Sequence, residues 1–177
     1  MSFTDREWWG LVHGMGLGAL FLLSFAGGLA GLYSLRPELI TPAGIVERMR
    51  RLKIGVVTMA VAAWLTVITG TWIVYPWYRA APPEGATNLA DYPRSLLLSS
   101  DLTSAWHTFG MEWKEHIAWI SPMLATAVAF VILYYGTQLI RRRDLYWPML
   151  ILFALAFGVA GVAGLMGAFI TKAAPVM

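Results

Sequence analysis

Three histidines and two glutamates, His13, His107, His116, Glu112 and Glu115, are the residues of this chain best suited to chemistry. There is no cysteine, which excludes thiolate-held iron–sulfur clusters, disulfides, blue-copper sites and Cys-x-x-Cys-His attachment of c-type haem. A metal or cofactor would have to be held by His, Met, Glu, Asp or Tyr. Met15, Met111 and Met123 fall at a similar level, but methionine more often packs than ligates. His13 lies within a long apolar stretch, about 8 Å deep at ~1.5 Å per residue. An ionisable group at such depth is costly and marks function. If residues 102–120 form one helix, His107 and His116 differ by roughly 900° and face opposite ways. Glu112 and His116, four apart, share a face with Phe109 and Trp119. The spacing sets His13 opposite His116 and Glu112 and turns His107 away.

The elements that would position these residues are transmembrane helices. Of 177 residues, 58% are hydrophobic and only 13% charged, too few charges to cover a soluble domain. Four stretches exceed the roughly 20 apolar residues that cross hydrocarbon: Trp8–Leu35, Ile54–Tyr75, Ile117–Ile140 and Tyr146–Ile170. They predict an all-α integral membrane protein, a single four-helix bundle over residues 1–177. The first span carries Asp5 and Glu7 where a signal peptide needs a basic run, so it reads as a retained helix. Eight basic residues (Arg36, Arg48, Arg50, Arg51, Lys53, Arg141, Arg142 and Arg143) crowd the two short links. That bias predicts a multi-pass protein of a bacterial-type inner membrane, with the short links cytoplasmic and both termini periplasmic. The net charge of +3 reflects this topology and implies no nucleic-acid partner.

The long loop Trp77–Glu115 is expected on the outer side. Pro82-Pro83-Glu84-Gly85 and Asp91-Tyr92-Pro93 read as turns, and Ser100 or Asp101 can cap a helix. Leu102, Ala105, Trp106, Phe109 and Trp113 recur at helical spacing, which predicts an amphipathic helix on the membrane surface with Lys114 towards water. Trp8, Trp9, Trp77, Tyr78, Trp106, Trp113 and Trp119 fall where interfacial aromatics gather.

Small residues mark the helix seams. In the first span the stripe is Gly10, His13, Gly16, Leu20, Ser24, Gly27 and Gly31; in the fourth, Ala160, Gly164 and Ala168. Thr58, Thr66 and Thr69 of the second span can bond back to their own backbone. Ser121-Pro122 predicts a kink in the third.

Glu7-Trp8 before His13 and Glu112-Trp113 before His116 suggest a two-plus-two arrangement. With four spans and two histidines on neighbouring helices, the chain resembles the four-helix membrane b-type cytochromes that exchange electrons with quinones. The resemblance implies one haem b near the outer face, with His13 and His116 as axial ligands and Glu112 as a supporting group. It also implies electron exchange with quinol or a periplasmic redox partner. The chain departs from that pattern in having no histidine pair about two heptads apart on one helix. Other readings stay open. Glu112, Glu115, His116 and His13 could hold a non-haem metal, although the Glu-x-x-His of di-iron bundles is absent. The chain could also be a structural or accessory subunit of a larger membrane complex, with no cofactor of its own. A transporter or hydrolase is disfavoured, since neither intramembrane carboxylates on the other spans nor a nucleophile–base pair is visible.

Overall fold

The computed structural model describes residues 3–35, 41 and 44–175, so Arg36 and Met177 lie outside the described residues. Four helices in it are long and apolar enough to cross a membrane: α1 (Asp5–Ser34), α2 (Ile45–Tyr78), α3 (Asp101–Ile140) and α4 (Arg143–Ala173). No strand occurs among the described residues. This suits a multi-pass membrane protein, and each helix satisfies its own backbone as a bilayer demands.

Local chemistry sets the helix ends. Thr4 starts α1 with a capping box: its hydroxyl accepts from the Glu7 amide at 3.2 Å, and the Glu7 carboxylate accepts from the Thr4 amide at 2.8 Å. Ser100 starts α3, accepting from the Leu102 amide at 3.3 Å. α2 begins at Ile45, well before the expected Ile54, because Glu47 pairs with Arg50 and Arg51 on an exposed polar turn. Near the far end of α3, Gly136 takes φ +51°, a conformation that side chains disfavour.

Consecutive helices pack as neighbours and α4 closes back on α1. The start of α1, the end of α4 and the long loop share one end: Arg6 donates to the Asp91 carbonyl at 3.2 Å, and Leu97 packs with Tyr78, Ile170 and Ala174. This is the loop end; the arginine-rich links form the other, the arginine end. Mid-bundle, Phe25 stacks on Phe153 and Phe157 with ring centroids 4.7 and 4.0 Å apart, joining α1 to α4. Gly28 admits that stack, since a Cβ there would lie 2.7 Å from the Phe153 ring. Ser121 donates to the Ala156 carbonyl at 2.8 Å, a buried bond between α3 and α4.

The seams differ from the expected stripes. α1 buries Phe21, Ser24, Gly28 and Leu32, whereas Gly16, Leu20 and Gly27 are exposed. α4 buries Met149, Phe153, Ala156, Ala163 and Ile170, and leaves Gly164 and Ala168 exposed. In α1 the reason is a wide π-turn over Leu11–Gly16, which shifts the phase of everything after it. α2 widens likewise at Gly70–Val74 and α3 at Trp106–Met111. Two of the three threonines bond back as read: Thr66 donates to Ala62 O at 2.8 Å and Thr69 to Leu65 O at 2.7 Å. The helix breaks its regular pattern at Ala118 and Trp119, just before the buried Pro122.

The largest departure concerns residues 102–114. They are helical, but they form the opening turns of α3 rather than a separate surface helix. Their inward face carries His107, Gly110 and Met111, while Leu102 and Phe109 are 91% and 63% exposed. A surface helix in water hides its apolar side; a helix surrounded by hydrocarbon does the reverse and turns polar groups inward.

Candidate functional site at the loop end

The three π-turns all lie in the half of the bundle nearest the loop, and such turns recur at functional sites. Two polar groupings occupy this half.

The first is centred on His13. Its Nδ1 lies 3.1 Å from Thr69 Oγ1 on α2. The Thr69 hydroxyl has one proton and gives it to the Leu65 carbonyl at 2.7 Å. Towards His13 it can then accept, with the imidazole proton on Nδ1 and the lone pair on Nε2, and the ring also lies within reach of the Thr66 backbone. The ring lies against Gly70, where a Cβ would fall 2.8 Å from Cε1. The charge acting on His13 from α3 is that of Lys114.

Lys114 is a correction to the expected orientation: it points inward, not to water. The residue is half-buried among the helices and keeps some accessible surface. Its ammonium lies 3.2 Å from where Gly167 of α4 would place a Cβ. Among the described residues no hydrogen-bond acceptor or ion-pair partner of the ammonium is found. His13 and Thr69, Lys114, and Gly167 thus bring groups from all four helices to one level.

The second grouping is centred on His107, which is 6% exposed. Arg94, from the loop, donates through Nε to His107 Nε2 at 3.3 Å. The remaining ring proton is then on Nδ1 and is given to Tyr78 Oη at 2.9 Å. Both nitrogens are committed, and the Tyr78 proton remains to be given elsewhere. Nearby, Arg79 donates to Tyr75 Oη at 3.0 Å. The carboxylates of Glu112 and Glu115 are close enough to act on Tyr75, Tyr78 and Arg79. This grouping ties the loop to α2 and α3.

His116 stands apart. It is exposed, and its Nδ1 is 2.7 Å from the Glu112 carbonyl of its own helix. His107 takes the inner side and is buried, whereas His116 is exposed. Lys114 and His116 are two residues apart, hence about 200° apart on the helix. With Lys114 turned towards His13, His116 turns away.

The chain matches no family model, no curated protein and no solved structure.

The likeness to b-type cytochromes therefore rests on the spans and histidines alone. A porphyrin gripped by both His13 and His116 inside one bundle does not fit these residues: His13 has the anchored Nδ1 and free Nε2 of a ligand, but α3 presents Lys114 to it rather than His116. Nor, among the described residues, do three or more His, Asp or Glu side chains gather where they would hold a metal ion. Glu112 acts on the second grouping, not beside His13.

Depth alone marked His13. Its partners Thr69 and Gly70 depend on how α1 and α2 rotate against each other, which spacing within one helix does not fix. Lys114 did leave a signal. Its helical neighbours Gly110, Met111, Ile117 and Ala118 are all small or apolar, an unusual setting for a lysine that faces water.

Proposed function

We propose that the chain is a membrane electron-transport subunit that binds quinol beside His13, at the outer side of a bacterial-type inner membrane. The supporting observation is the contact of His13 Nδ1 with Thr69 Oγ1 at 3.1 Å. Thr69 holds the ring so that an unprotonated Nε2 is offered in an apolar setting, where a quinol hydroxyl is the natural donor. On two-electron oxidation to the quinone, Nε2 takes the proton of one ring hydroxyl, the proton of the other leaves to the water at the loop end, and the two electrons pass to a periplasmic redox protein or to a cofactor of a partner subunit.

Binding of a short-chain quinol analogue to the detergent-purified chain, with its optical spectrum, tests the reading. His13→Ala is expected to weaken binding by about tenfold, the value of one well-placed buried hydrogen bond, whereas His116→Ala leaves it within about twofold. Equal affinity of the parent and His13→Ala would overturn it. A reduced b-type band that His13→Ala removes and His107→Ala spares would place a haem on His13 instead.

A second reading, a structural subunit of a larger membrane complex, draws on one observation. The exposed face of α4 at Gly164 and Ala168 lets another helix approach closely.

A further inference from the structure

Away from the histidines, α1 and α4 touch mid-bundle through Phe25, Phe153 and Phe157. Towards the arginine end a groove of about 520 Å³ opens between them, lined by Ala26, Leu29, Ala30 and Tyr33 of α1 and by Tyr146 and Leu150 of α4. Pockets that hold small ligands span roughly 300–1,000 Å³. The α1 wall is exposed, so the groove opens outwards from the bundle. Around a bundle embedded in a bilayer, that side meets lipid tails. Tyr33 and Tyr146 stand at the groove's outer end, close to the helix termini, where an aromatic ring with a polar tip meets the headgroups.

That end is also basic. Arg143 lies one turn before Tyr146 on the same face of α4. Arg48 of α2 donates to the Ser34 carbonyl at 3.0 Å, beside Tyr33. The carboxylates there among the described residues are already bridged, Glu47 by Arg50 and Arg51 and Asp144 by Arg142. An apolar groove with a basic mouth complements an acyl chain that ends in a phosphate. We propose that this groove holds one anionic phospholipid, with an acyl chain along Ala26, Ala30 and Leu150 and its phosphate at Arg143 and Arg48. The inference goes beyond the quinol reading: it needs the four helices to lie in a bilayer, but neither quinol binding nor a particular side for the arginine end.

The test uses the full chain in phosphatidylcholine vesicles that carry a trace of phosphatidylglycerol or phosphatidylcholine, spin-labelled near the end of one acyl chain. An immobilised component is expected that favours phosphatidylglycerol by about twentyfold, the product of about fivefold for each of two arginines. Raising the salt to about 1 M should shrink that preference, since charges are then screened beyond ~3 Å. Arg143→Gln should lower it by about fivefold and Arg143→Lys by no more than about twofold. Arg143 is exposed, so these variants are readable even where a groove-filling one fails to fold. Ala30→Phe fills the groove and should remove the immobilised component for both lipids, whereas Leu133→Phe, at an exposed position on α3, should keep it. Equal immobilisation of the two lipids, or a preference that Arg143→Gln leaves unchanged, would overturn the proposal. Displacement of the labelled lipid by glycerol phosphate at equal concentration would also overturn it, by showing a site for the small anion alone. So would a chain that is dimeric in detergent and monomeric as Ala30→Phe, which would place a second copy in the groove.

Discussion

At the scale of single residues, the two inner histidines are fixed by opposite means. His13 accepts its orientation from a threonine whose proton is already spent on the Leu65 carbonyl, so one nitrogen stays available. His107 is held at both nitrogens and has none to offer. Two predictions separate these roles. In Gly70→Ala the new methyl would stand 2.8 Å from His13 Cε1. The ring must swing off Thr69, and the quinol analogue should bind as poorly as to His13→Ala although the imidazole is still present. Titration of that variant with the analogue checks this; undiminished binding would show that the Thr69 anchor is irrelevant. Tyr78→Phe removes the acceptor of a buried imidazole N–H, which costs about 1–3 kcal/mol. Its midpoint in a denaturing-detergent titration should fall, while quinol affinity moves little because His13 lies in the other grouping.

At the scale of helices, the four spans were legible because length and apolarity alone define them. What was not legible was phase. A π-turn inserts a residue into the helical repeat, and three of the helices carry one, so stripes projected at a constant 100° drift off the true seam. Gly27 was expected on the α1 seam and is exposed; its neighbour Gly28 is the residue that touches Phe153 and Val56. On α3 the sign of the pattern was also reversed: Leu102 and Phe109 face out and Lys114 faces in, as polarity dictates when the surroundings are hydrocarbon. Of the site, His13 was visible from its depth, whereas the separation of His13 from His116 needed the observed rotation of α3. The seam itself is testable. Gly28→Ala would put a methyl 2.7 Å from the Phe153 ring and should destabilise the bundle by about 1–3 kcal/mol, the usual range for overpacking. Gly27→Ala meets nothing within 4 Å and should be near neutral. Unfolding both variants in mixed micelles compares them, and equal midpoints would misplace the seam.

At the scale of the whole molecule, the bundle is polarised. Nearer the loop it holds both interior polar groupings; the other end carries arginines, with Glu47 bridging Arg50 and Arg51 and Asp144 pairing with Arg142. These exposed pairs add little stability, and their weight is topological. Short links rich in Lys and Arg stay in the cytoplasm, and four helices return the chain to the side on which it began. The Arg6 contact with the Asp91 carbonyl and the packing of Ala174 near Leu97 put the start of α1, the long loop and the end of α4 together, as an even number of crossings requires. On the proposed orientation, His13 and Lys114 lie near the outer face. Reporter fusions after Arg50 and after Arg143 should therefore be active only in the cytoplasm, and a fusion at Ala86 only outside. A C-terminal fusion should behave like the one at Ala86. The opposite pattern would invert the molecule, move His13 to the cytoplasmic side and exclude a periplasmic electron acceptor. A fusion at Ala86 that disagreed with the C-terminal one would break the four-crossing topology itself, because the end of α4 lies at the same end of the bundle as the long loop.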